Sequence, residues 1–158
     1  MSDAKGWALE IDAQWADTME SLRDAVEYLG LYSIKRIVEM SPVGNMEKWT
    51  DQFKMVGKQL EWFSDSYVGG RFRGNWTLSF GTPDPTVTEK VDPDGGPTIK
   101  KLTAEMKSYP QDAFPVIYLQ NNLPYAERLE NGYSKQAPNG MVGITYAELA
   151  ALWEAQKI

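Results

Sequence analysis

Glu127 and Glu130 stand three residues apart, a spacing that places two carboxylates close together on a short helix. Paired carboxylates can bind a metal or divide acid and base work between them. No second carboxylate cluster and no histidine converges on them by sequence, so a solvated helix face is the competing account. Arg71 and Arg73 form a basic pair able to grip a phosphate or carboxylate bidentately. On an alternating segment both project to one side, towards a neighbouring subunit, solvent or nucleic acid. Gly69, Gly70 and Gly74 make a glycine-rich stretch, but no Lys-Ser/Thr follows it. It leads into an expected strand instead of a helix, so neither nucleotide fingerprint fits. Ser134 lies beside Lys135, and adjacency alone does not activate a nucleophile. Tyr125 and Tyr133 read as packing residues with satisfied hydroxyls.

Composition narrows the chemistry further. The 158 residues contain no cysteine and no histidine. Disulfides and thiolate metal sites are excluded, and the commonest general base and metal ligand is missing. The formal net charge of −6 makes non-specific nucleic-acid binding a poor fit. The first residues, MSDAKGWALEIDAQW, are acidic, lack a long apolar core and do not read as a signal peptide. No apolar run approaches a membrane span. A single soluble domain over residues 1–158 is expected, with no catalytic residue, metal or cofactor assigned and no membrane partner.

The elements that must position these residues follow from periodicity. Trp15, Met19, Leu22, Val26 and Leu29 recur at spacings of four and three, predicting a core-facing helix over 12–40 with a bend at Gly30. Ser41–Asn45 breaks it through Pro42. A second helical stripe, Trp49, Phe53, Val56, Leu60 and Phe63, marks an insertion at about 45–68. Arg71–Phe80 alternates as a half-buried strand. Residues 81–97 carry four prolines and read as a flexible loop, with a short strand at Thr86–Lys90. Thr98 is the expected cap of a helix to Tyr109, with Leu102 and Met106 inward. Phe114–Gln120 reads as a strand, Leu123–Leu129 as a short helix ended by Asn131–Gly132, and Met141–Ile144 as a strand. Thr145 and Glu148 form a capping box opening the last helix, with Tyr146, Leu149 and Trp153 facing the core. The fold class is α+β: a long N-terminal helix on a small antiparallel sheet, with additional short helices.

Two segments, Gly69–Trp76 and Asn121–Gly140, are dense in Gly, Asn, Arg and aromatics. Together with Ser41, Pro42 and Val43, they resemble the neck or tail-completion family of tailed bacteriophages, also known as minor tail components. Gly70, Arg71, Phe72, Arg73, Gly74, Asn75 and Trp76 match its Gly-Arg turn entering a Trp strand. Asn121, Asn122, Pro124, Tyr125 and Ala126 match its Asn-Pro-Tyr-Ala piece. Leu129, Glu130, Gly132 and Ser134, then Gln136, Ala137, Pro138, Gly140 and Met141, match its closing pieces. One departure is that residues 45–68 separate the Pro-Val loop from the Gly-Arg segment, which are usually nearly contiguous.

The resemblance implies a non-enzymatic virion protein at the head-to-tail junction, assembled in the bacterial cytoplasm. Its subunits would form a ring, a hexamer by analogy, between connector or head-completion proteins and tail proteins. DNA would pass through the lumen without sequence-specific binding. Pairing of Arg71 and Arg73 with carboxylates such as Glu130 would give subunit contacts direction. A tail terminator or head-closure protein is the near alternative. A small protein-binding module and a hydrolase using Glu127 and Glu130 belong to other classes.

Overall fold

Helix α1 runs unbroken over Ala4–Met40 in a computed structural model that describes residues 4–45 and 67–155, with α1 side chains described from residue 10. At 1.5 Å per residue it is about 55 Å long. It starts eight residues before its expected boundary because Ala4–Ile11 is built largely from good helix formers. The helix runs on through Gly30 without a break. A Cβ there would lie 2.7 Å from Met106 Sδ, so glycine instead permits close approach to a neighbouring helix.

The remaining described elements are α2 (Arg71–Gly74), β1 (Trp76–Phe80), α3 (Gly96–Met106), β2 (Ile117–Asn121), α4 (Ala126–Glu130) and α5 (Val142–Glu154). The two strands pair antiparallel, from Trp76 opposite Asn121 to Phe80 opposite Ile117. Helices α3 and α5 pack on α1, and α3 also packs on β1. This is the expected α+β architecture. The expected helical stripe from Trp49 to Phe63 lies outside the described residues.

The core gathers around the second half of α1. Ile34, Ile37 and Val38 recur at i, i+3 and i+4 and are buried against Leu102 and Met106 of α3 and Met141 before α5. The expected inward stripe of the first half turns outward at Trp15, which is 67% exposed, and at Leu22. The reason is where α1 finds its partners. Arg23 reaches Asp112, Gly30 meets Met106, and Tyr32 and Arg36 meet Glu148.

Two expected strands are not strands, and a third is shortened at its start. Residues 71–74 form one helical turn, and β1 begins only at Trp76. Phe72 and Trp76 are four apart, so a helical turn and an alternating strand both place them on one side; their rings meet edge-on at 5.7 Å. Thr86–Lys90 has no ladder partner among the described residues, and its backbone binds side chains instead. Residues 142–144 belong to α5, because a carboxylate from elsewhere in the chain satisfies the first N–H groups of that helix.

Both expected helix caps are likewise replaced. Thr98 lies inside α3, whose N-terminus is held by Asp92: Gly95 N donates to Oδ1 at 2.7 Å and Thr98 N to Oδ2 at 2.8 Å. Thr145 lies inside α5 and bonds the Met141 carbonyl, while Glu148 turns to Tyr32 and Arg36. Tyr146 and Trp153 point away from the core, 74% and 60% exposed.

Candidate functional site

The residues that carry the family resemblance come from four distant stretches and meet in one hydrogen-bonded knot. Its centre is the end of α1. Ser41 Oγ donates to the Ile37 carbonyl and accepts the Trp76 indole N–H, both at 2.8 Å, with Ser41 and Trp76 buried. Arg73 closes the same helix end. Its guanidinium donates to the carbonyls of Glu39 at 3.2 Å, Ser41 at 2.8 Å and Pro93 at 2.6 Å. A cation there also suits the negative end of the helix dipole. Arg73 Nε remains buried without a partner.

Pro42 turns the chain into a strand-like exchange. Val43 N donates to Gln136 Oε1 at 3.2 Å, and Gln136 Nε2 returns a bond to the Val43 carbonyl at 2.7 Å. Gln136 thus ties the Ser-Pro-Val loop to the Ala137–Pro138 turn. Ser134 Oγ accepts the Gln136 N–H and shapes that turn. Ala137 is buried beneath it, and Gly132, at φ 81°, passes so near the Pro138 carbonyl that a Cβ would come within 2.3 Å.

Asn75, Asn121 and Asn122 act as backbone surrogates. Asn75, only 2% exposed, accepts the Thr88 N–H at 2.7 Å and donates to the Arg71 carbonyl at 2.7 Å. Asn121 donates to the Phe72 carbonyl at 2.8 Å. Asn122 donates to the carbonyls of Asp84 at 2.8 Å and Thr86 at 3.0 Å. These bonds, with the Asp92 cap, pin the proline-rich segment that the sequence predicts to be a flexible excursion. Gly70 anchors its far end: at φ 108°, its carbonyl accepts the Asp92 N–H, and a Cβ would sit 2.4 Å from Asp92 C.

Glu130 is fully engaged. Oε2 accepts the N–H groups of Met141 at 2.8 Å and Val142 at 3.0 Å, and Oε1 accepts that of Gly143 at 2.9 Å. A carboxylate at a helix N-terminus meets both the unpaired donors and the positive end of the dipole. Glu127 is exposed on the same short helix. Both line the groove beside Phe72 and Met141, but the Glu130 oxygens there are already taken by backbone N–H groups. Among the described residues, no group of three or more His, Cys, Asp or Glu side chains is placed to hold a metal.

Arg71 and Arg73 also part company. Arg71 pairs with Glu89 at 2.7 Å on the surface, whereas Arg73 turns inward to carbonyls. Their partners lie in the same chain, and so do those of Glu130. Tyr125 packs its ring 6.1 Å from Phe72, and burial pushes its hydroxyl pKa up despite nearby Arg71. Pro124 is exposed at the turn into α4. The Arg128 guanidinium lies 3.5 Å from the Tyr133 ring centre.

Sequence reasoning missed Asp92 and the dyad of Arg36 with Glu148, and it reached Gln136 through the resemblance alone, without its partner Val43. Asp92 had a local signal, an Asp followed three residues later by the first helix-opening glycine. Gln136 and Arg36 had none, since their partners are far away along the chain.

Among the described residues, large hydrophobic side chains are exposed on the first half of α1, at Trp15 and Leu22, and on the outer face of α5, at Val142, Tyr146 and Trp153. An apolar cavity of about 380 Å³ lies between α1 and the sheet, walled by Val26, Leu29, Leu78 and Ile117. No described helix is long and apolar enough to cross a membrane. Compared with protein-family models, with curated proteins and with solved structures, the chain gives no match.

Proposed function

We propose that this chain is a structural protein of the head-to-tail junction of a tailed phage, in the neck or tail-completion position. It assembles in the host cytoplasm into a closed ring, a hexamer by analogy, between connector and tail proteins. The observation that carries the reading is the knot itself. Pieces of the resemblance at Ser41–Val43, Gly70–Trp76, Asn121–Tyr125 and Glu130–Met141 are joined directly, through Ser41 to Trp76, Val43 to Gln136, and Asn121 to Phe72. Ser41, Arg73, Asn75, Asn121, Asn122, Glu130 and Gln136 in it all hold backbone, which is the work of a scaffold.

The charge supports the same reading. A net charge of −6 disfavours adhesion to DNA passing through a lumen, since like charges repel. The exposed aromatics of α5 keep a small protein-binding module as the second reading. The test is absolute mass by light scattering over a concentration series, followed by imaging of any ring. A closed ring that joins purified phage connectors is the expected result. A protein that stays monomeric and also fails to join those connectors would remove the reading.

A further inference from the structure

Strand β2 pairs with β1 on one side and with no described strand on the other. Gly81 N donates to the Val116 carbonyl at 2.8 Å, and that bond sets the phase of the ladder. Val116, Tyr118 and Gln120 turn their backbone groups to β1, whereas Ile117 and Leu119 turn theirs away from it. No described residue bonds those outward groups. Helix α3 packs on β1, while β2 has β1 as its main neighbour among the described elements. A free edge is ordinarily blunted by a charge, a proline or a bulge. From Val116 to Asn122 the sequence VIYLQNN has no charged residue and no proline, and the register of β2 with β1 is unbroken. Such an edge is a template for another strand.

The side chains around the edge select what that strand carries. Residues opposite each other in a ladder share a face. Ile117 and Leu119 help wall the apolar cavity of about 380 Å³, with Val26 and Leu29 of α1 across from them. Leu119 also walls a second groove of about 210 Å³, which Asn121 shares with Glu127 of α4. Residues laid against Ile117 and Leu119 therefore point into apolar space, and the next alternate residue, against Asn121, points into the groove of Glu127. The Glu127 carboxylate is exposed and has no ion partner among the described residues, for Arg128 beside it lies over the Tyr133 ring. Glu130 in the same groove spends its oxygens on backbone N–H groups. One uncommitted negative charge at the end of an apolar track is complementary to a lysine or an arginine.

We infer that β2 binds an extended segment of a partner protein by strand addition, with a basic residue against Asn121 and aliphatic residues against Leu119 and Ile117. Antiparallel addition continues the pairing of β1 with β2 and lets one partner residue exchange both backbone bonds with Leu119. Read along the partner, the pattern is basic, any, aliphatic, any, aliphatic. The backbone bonds supply affinity, and the cavity and Glu127 supply choice. The site is complete in one copy and needs no ring.

The test uses the full chain and a capped, fluorescent peptide containing the sequence KTVTL. Anisotropy gives the affinity, and amide exchange resolved at Ile117 and Leu119 gives the place. Saturable binding is expected, with slowed exchange at both amides. Methylating the peptide's valine nitrogen keeps every side chain but removes the donor to the Leu119 carbonyl, and should weaken binding about tenfold. Glu127→Lys, a change at an exposed position, should weaken it about threefold, and less in high salt. No binding, or equal binding of the methylated peptide, would overturn the inference. So would unchanged exchange at Ile117 and Leu119 on binding, or a Glu127→Lys chain that binds as tightly. Amides already protected in the free chain would place its own residues on the edge, and protection that grows with protein concentration alone would place a second copy there. Either result would also overturn it.

Discussion

The Glu130 carboxylate and the Met141 amide, eleven residues apart, join at 2.8 Å, and through this bond and two others α4 sets where α5 begins. Losing a side-chain cap costs about 0.5–2 kcal/mol, and three donors are served here. Glu130→Ala should cost about 2 kcal/mol, and a domain of this size loses about 2–4 °C of melting temperature per kcal/mol. Glu130→Gln keeps one acceptor oxygen and should lose about half as much. Thermal unfolding followed at 222 nm measures both. An unchanged melting temperature in Glu130→Ala would contradict the cap.

Asn75 replaces backbone partners for two segments at once, and it is buried. Truncation strands the Thr88 N–H and the Arg71 carbonyl, at about 1–3 kcal/mol for each group that stays dry. Asn75→Ala should therefore destabilise by about 2–3 kcal/mol. Asn75→Asp should be no better at neutral pH, since it sets a carboxylate oxygen against the Arg71 carbonyl. Urea titration gives the stabilities. Amide exchange at Thr88 should accelerate in Asn75→Ala, whereas Asn75→Asp keeps the acceptor for that N–H; a Thr88 still protected in Asn75→Ala would refute the role.

Asp92 makes stability depend on acid. Burial pushes its pKa up, but the bonds from Thr98, Gly95 and Asp94 outweigh burial and hold it below the ordinary value. A depressed folded value means the native state favours the charged form. The stabilisation is complete above the unfolded value of about 3.9 and disappears as pH falls through the folded value. Asp92→Asn should lower stability at pH 7 and flatten the loss below about pH 4. Asp84 and Glu148 are also shifted down and will keep part of that loss. Denaturant midpoints measured from pH 2 to 7 test the difference in slope.

Arg36 and Glu148 fasten α5 to α1, with Arg36 Nε donating to Oε2 at 2.8 Å and Tyr32 donating to the same oxygen at 3.0 Å. Both charged side chains are about one-third exposed, so screening limits the pair. A double-mutant cycle of Arg36→Met and Glu148→Gln should give a coupling of about 0.5–1 kcal/mol, smaller in 1 M salt. Zero coupling at low salt would mean that α5 is held by packing alone.

Periodicity found α1, the inward Leu102 and Met106, and the strand at Ile117–Asn121, because each repeats a local pattern over its own length. It failed at residues 71–74, where positions four apart satisfy both helix and strand. Caps were misplaced because Asp92 and Glu130 offer carboxylates that outcompete the nearby threonines. The outward Tyr146 and Trp153 expose a deeper limit. A stripe announces that one helix face is apolar, but not which surface will meet it. The knot was visible only as residue types dense in Asn, Gly and Arg; its bonds join residues more than 30 positions apart.

The placement of the core also fixes an order of events during synthesis. Ile34, Ile37 and Val38 emerge early, yet they pack with Leu102, Met106 and Met141. At about 5–20 residues per second, the ribosome needs roughly 5–20 s to make the intervening hundred or so residues. Over that interval the future core face of α1 is covered in stages, as Phe72 and Trp76, then Leu102 and Met106, and last Met141 arrive. A chaperone that reads apolar helices would meet this chain at its first element and be displaced step by step.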